Sequence, residues 1–237
     1  MCGRMIQMTP LEVLRRIFGF AGAPNLRPRY NLAPTQEVAV VRDRGDGREI
    51  ALLRWGLVPS WAKDTSGAAK LINARSETAA DKPSFRSALR QRRCLVPVDG
   101  FYEWQAAGAG RRKQPFVIRR PDHAPFALAG LWERWHSPEG ETLDTLAVLT
   151  TTANRPLSAL HDRMPVVLDP DGWSLWLDGA APLPMVLDLL RPAPDDALEI
   201  RPVSPRVGVV ANDDPGLLDP VAPAAPAPQR PQQPSLF

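Results

Sequence analysis

Cys2 stands directly behind Met1 in the opening stretch MCGR. Loss of Met1 would give that cysteine a free α-amine, setting an amine and a thiol on adjacent carbons. The two groups titrate near neutrality, at about 7.7–8.0 and about 8.5. An aldehyde meeting them is captured first by the amine as an imine. The thiol then closes a five-membered thiazolidine ring with the high effective molarity of an intramolecular step. Three other stretches carry residues suited to help. In LINARSET, Asn73 and Arg75 lie two apart and share one face if the chain is extended, although such residues also cap turns. In DGFYEW, Glu103 stands between Tyr102 and Trp104. A carboxylate shielded by aromatics suits proton transfer, and a Glu at that spacing equally suits the outer face of a strand. In ALHDRMPVVL, His161 precedes Asp162 and Arg163 at the head of an apolar run, fit for acid–base work or for a structural hydrogen bond.

Something must hold these distant stretches together. TPLEVLRRIFGF predicts an early amphipathic helix, with Thr9 as N-cap, Pro10 at the first helical position and Glu12 completing a capping box. Runs rich in β-branched and aromatic residues follow: EVAVVRD, EIALLRWGLVP, CLVPVDGFYEW, QPFVIRR, PFALAGLWERW, TLAVLTTTA, MPVVLD and LEIRPVS. Short helices fit SFRSALRQ, PDGWSLWLDG and PLPMVLDLLRP. Many strands without βαβ alternation predict an α+β domain on a mainly antiparallel, closed or nearly closed sheet, with short helices at its periphery. That domain is expected over residues 1–213. The Pro- and Ala-rich remainder, 214–237, has too little apolar bulk for a core and is expected to form an extended tail.

The 237 residues are 44% hydrophobic and 23% charged, the balance of a globular chain that buries a core. Arg4 arrives early with no apolar signal-peptide core after it, and no run approaches the roughly 18 apolar residues of a membrane span, so a cytoplasmic, nucleoid-associated location is expected; a monomer is expected as well. Cys2 and Cys94 are too few and too far apart for a disulfide framework, and Cys94 lies in an apolar run as a buried thiol would. With three histidines and no metal-ligand spacing, neither a metal nor another cofactor is expected. Although the formal charge is only +3, cations cluster in FRSALRQRR, GRRKQ and VIRR, as suits a polyanion or a solvated face.

Taken in order, MCGR, YNLAPT, RWGLVPSW, LINARSET, CLVPVDGFYEW, HDRMPVVL and PVSPRVG closely resemble the SOS response-associated peptidase family of abasic-site processing proteins. The resemblance runs from Cys2 to about Asn212. It implies binding of single-stranded DNA at an abasic site, whose opened sugar presents an aldehyde, and a thiazolidine cross-link through Cys2 that shields the lesion. It further implies supporting catalytic roles for Asn73, Glu103 and His161, removal of the chain's own leading residue, and associated lyase chemistry. Arg4, Asn31, Pro34, Trp61, Arg75, Trp104 and Arg163 match positions that line the family's DNA channel. Trp61 is followed here by Ala62, where bacterial relatives often carry a second tryptophan.

The terminal QPSLF resembles a bacterial sliding-clamp-binding pattern, with Gln233, Leu236 and Phe237 as anchors on a flexible tether. Two other readings stand beside the main one at this level. An N-terminal-nucleophile amidohydrolase also begins Met-Cys-Gly. A non-covalent single-stranded or modified-base DNA-binding module would use the cations and tryptophans but not Cys2.

Overall fold

The structure, a computed structural model, describes residues 2–105 and 113–221. Its strands divide between two sheets. The smaller runs in the spatial order β13 (Glu199–Pro202), β8 (Gln114–Arg119), β7 (Gly100–Gln105), β1 (Met5–Gln7) and β2 (Arg29–Leu32). In the larger, β3 (Glu37–Asp43), β4 (Arg48–Trp55), β10 (Thr142–Thr152), β9 (Phe126–His136) and β6 (Arg93–Val98) close into a ring, because β10 pairs with both β4 and β9. Beyond the ring, β5 (Asn73–Arg75) and β11 (Arg163–Pro165) extend along β10, while β12 (Val167–Leu168) joins β9. All pairings between these strands are antiparallel except β4–β10 and β5–β10. The expected α+β class and closed antiparallel sheet are what the chain adopts.

Alternation along the ring strands feeds two cores, as a period-2 pattern buried on both faces must. Ala39, Val41, Leu95, Ala129 and Leu149 turn toward α1 (Leu11–Phe18), α3 (Arg86–Gln91), α5 (Trp173–Leu177) and α6 (Leu183–Leu187). Val38, Val40, Cys94, Val96 and Val148 turn the other way, where they pack with Met5, Leu32, Phe101 and Cys2. A Cβ at Gly130 would come within 2.7 Å of Cys94 Sγ and 2.9 Å of Val96 Cγ2, so glycine is required where β9 crosses β6.

The run CLVPVDGFYEW is two strands rather than one. At Asp99 the chain leaves the ring as β6 and enters the smaller sheet as β7. The Asp99 carboxylate accepts hydrogen bonds from the amides of Met8 and Thr9, at 2.6 and 3.1 Å, and from the Thr9 hydroxyl. Thr9 is thereby drawn away from capping. Pro10 is the N-cap of α1 with no side-chain hydrogen bond, and Glu12 pairs with Arg15 instead. The three-residue β1 and four-residue β2 had no sequence expectation, being too short for alternation to register.

The packed chain also continues past the expected boundary at 214. A 3-10 turn over Pro215–Leu218 buries Leu217 against Tyr102, Val203 and Val207. Leu217 and the Asp214 cap dock this Pro-containing turn. No helix among the described residues is long and apolar enough to cross a membrane.

Candidate active site

Strand pairing sets Cys2 beside Glu103. In the β1–β7 ladder Met5 faces Phe101 and Ile6 faces Gly100, and the Tyr102 amide donates to Arg4 O at 3.0 Å. Continued one pair further, the register brings Gly3 opposite Glu103. The Cys2 side chain is 0% exposed. Burial pushes its thiol up to about 12, and the neighbouring Glu103 carboxylate adds to the rise while the Arg4 amide opposes it. The thiol is therefore kept protonated near neutrality. Burial pushes Cys94, also free, to about 12 as well. At pH 8 the folded chain should react with iodoacetamide about 10^3-fold more slowly than free cysteine, because so little thiolate exists. Mass spectrometry of the alkylated protein checks this, and rapid labelling of Cys2 would show that the thiol is not held protonated.

Asn73 reaches Cys2 from the ring side. Ile72 O accepts from both Trp55 Nε1 and the Val148 amide, at 2.9 and 3.0 Å, which seats β5 on β10. From there Asn73 Nδ2 donates to Cys2 O at 2.8 Å. Asn73 Oδ1 is buried without a hydrogen-bond partner. An orphaned buried acceptor costs about 1–3 kcal/mol, so this oxygen is poised for an incoming donor.

Glu103 is 6% exposed, which rules out the outward-facing strand position, and Oε1 accepts the Trp104 amide at 3.1 Å. It lines an open cleft of about 480 Å3 together with Arg4, Trp104, Lys113, His161 and Gly208. His161 enters from the loop between α4 (Arg155–Ser158) and β11. Its Nδ1 accepts the Arg163 amide at 3.0 Å, which leaves the proton of the neutral ring on Nε2. The same nitrogen lies 2.7 Å from Asp162 Oδ1, a contact that serves the protonated ring. Neutral and protonated His161 thus each have a partner that holds the ring in place.

The four expected catalytic residues therefore converge. Cys2 touches Asn73 and feels Glu103, and Glu103 shares its cleft with His161. The expected DNA contacts are more dispersed. Arg4 and Trp104 line the cleft, with the guanidinium 5.9 Å from the indole centroid. Arg4 also braces the wall by donating to Asn31 Oδ1, Val207 O and Gly208 O. Asn31 has no exposed surface. Its amide donates to the carbonyls of Val207, Val209 and Asn212, so it holds the cleft wall rather than facing solvent. Pro34 sits half-buried in a turn beside Thr35, whose φ of 74° is unusual for a β-branched residue. Trp61, 67% exposed, and Arg75, at the end of β5, are open to solvent. Arg163 is 11% exposed and bound bidentately to Glu77 at 2.6 and 2.8 Å, with a further bond to Thr150 O. Gln233, Leu236 and Phe237 lie outside the described residues.

Lys113, Gly208 and Asn212, whose carbonyl accepts from Asn31, were not singled out as site elements by the sequence. Lys113 belongs to a noted basic cluster, which is the one signal that pointed to it.

Comparison with known proteins is consistent with this arrangement. The abasic site processing protein YoqW of Bacillus subtilis is 38% identical over 223 residues, covering 92% of this chain and 99% of that one. The abasic site processing protein HMCES of Gallus gallus is 36% identical over 228 residues, covering 82% of this chain and 67% of its own length. A crystal structure of a protein from Bacteroides thetaiotaomicron matches with a TM-score of 0.84 at 25% identity, over 93% of this chain and 100% of that one. The family model for SOS response associated peptidase matches residues 1–210, from the cysteine to the wall of the cleft, and the chain belongs to that family.

Proposed function

We propose that this chain recognises abasic sites in single-stranded DNA and links itself covalently to them through Cys2, shielding the lesion. One observation carries the reading: a cysteine next to Met1 is held by Asn73 and lies within the field of Glu103, beside a cleft that also presents His161, Arg4 and Lys113. The names of the relatives support the abasic site as substrate.

Once Met1 is removed, the Cys2 nitrogen attacks the sugar aldehyde carbon and water leaves, giving an imine. Before that attack, His161 delivers a proton to the ring oxygen while the anomeric hydroxyl releases its own to water, which opens the sugar to its aldehyde. The Cys2 sulfur then adds to the imine carbon. Its proton passes to Glu103 and on to the nitrogen, which completes the thiazolidine. This order follows from the thiol being pushed up to about 12, since the amine is then the better first nucleophile. Asn73 Nδ2 anchors the Cys2 carbonyl while Oδ1 accepts from the reacting amine.

Arg4, Lys113 and Arg75 provide phosphate contacts, and Trp104 and Trp61 provide stacking surfaces. Met1 removal is the peptidase function, and elimination from the imine is the lyase function. The protein works as a cytoplasmic, nucleoid-associated monomer. QPSLF acts as a sliding-clamp tether on its sequence pattern alone.

Intact mass spectrometry tests the proposal. The free protein should lack Met1. Mixing with abasic single-stranded DNA should then yield a species that survives boiling in denaturant, heavier by the oligonucleotide less one water. A chain that keeps Met1, or carries an acetyl group there, cannot form the ring, and the proposal fails.

A further inference from the structure

Several arginines at the surface of this protein face a carboxylate: Arg15 pairs with Glu12, Arg44 with Glu49, Arg120 with Asp122 and Arg134 with Asp144. The stretch 70–92 is marked instead by a surplus of cations. It holds six cations against two acids, and its surplus exceeds the +3 of the whole chain. One of the two acids, Glu77, is already bound by Arg163. Lys70, Arg75, Lys82, Arg86 and Arg90 are all exposed, and none has an ion-pair partner among the described residues.

Three of them form a row. The Arg86 amide donates to Lys82 O at 2.9 Å, which closes a turn directly ahead of α3, whose N-cap is Phe85. Arg86 and Arg90 therefore sit one turn apart on a face of α3, about 6 Å along the axis, and Lys82 stands in the turn that leads into it. Phe85, Ala88 and Leu89 fill the opposite face and pack into the helix-side core. Cys2 belongs to the other core, so this row lies outside the cleft. Chain continuity still ties the two together. Asn73, which holds Cys2, is followed by Arg75, α2 (Ser76–Ala79) and then Lys82.

We propose that Lys82, Arg86 and Arg90 form a second track for the sugar–phosphate backbone, engaging DNA that flanks the lesion after it leaves the cleft past Arg75. The proposal rests on the DNA reading above and adds a surface to it. A run of exposed cations without ion-pair partners is suited to a polyanion, and each phosphate neutralised releases counterions.

The test uses the full chain carrying Cys2→Ala and oligonucleotides whose abasic site is a tetrahydrofuran analogue without an aldehyde, so that neither ring nor imine forms and binding stays non-covalent. Fluorescence anisotropy compares abasic oligonucleotides of about 8 and about 30 nucleotides. Combined Lys82→Gln, Arg86→Gln and Arg90→Gln should weaken binding of the long oligonucleotide and leave the short one unchanged. The slope of log affinity against log salt on the long one should shrink by about 2, or 0.7 per lost contact. All three residues are exposed, so the melting temperature should not move. Equal losses on both oligonucleotides, or an unchanged slope on the long one, would overturn the track while leaving the cleft reading intact. If the Cys2→Ala parent binds neither oligonucleotide at low salt, both readings fall.

Discussion

Replacing Cys2 by alanine should abolish the boiling-resistant product with abasic single-stranded DNA while leaving the low-salt complex in place. No other residue offers the same chemistry. Cys94 is the one other cysteine, and it is buried within β6 without an adjacent free amine. The substitution removes a single sulfur from a packed site, a small enough change for the fold to tolerate. It also permits a sharper test. Alanine at position 2 is small enough for Met1 to be removed, so the variant keeps its α-amine. An imine should still form, and borohydride should trap it as a permanent bond. Unreduced samples should show no covalent band. If borohydride traps nothing from the variant while the parent cross-links normally, the amine does not attack first and the proposed order is wrong.

How much of this could be read before any coordinates depended on the range of the interaction. EVAVVRD became β3 over the same residues, because a strand buried on both faces carries its own signal in every side chain. The broken run at Asp99 was not visible. What divides it is a set of hydrogen bonds from Met8 and Thr9, some ninety residues earlier in the chain. The same contact undid the Thr9 cap. Asn31 shows the limit for site residues. Its motif marked a position along the channel, but its amide is spent on three carbonyls between 207 and 212. Arg163 is similar, since only the fold brings Glu77 to it. Asn73, Glu103 and His161 converged as expected, yet the pairing of β1 with β7 that sets Cys2 beside Glu103 involves a strand of three residues.

Glu103→Gln should move two measurements in opposite directions. The carboxylate raises the Cys2 thiol, although burial is the larger cause. A neutral amide of the same shape removes the electrostatic part and keeps the burial. The thiol should then fall from about 12 but stay above the ordinary value near 8.5, and alkylation of Cys2 at pH 8 should become modestly faster. Cys94, whose shift has no contribution from Glu103, serves as the unchanged internal reference. Cross-linking should slow by about 10^2–10^4-fold, the range for losing a positioned acid–base group. A purely structural role for Glu103 would give the same pair of signs but would also weaken DNA binding, because a loosened site exposes the thiol and releases the DNA together. Affinity measured on the Cys2→Ala background should therefore be the same with Glu or Gln at 103. A faster thiol with an equally fast ring closure would remove Glu103 from the proton path and leave the imine nitrogen to accept the thiol proton directly.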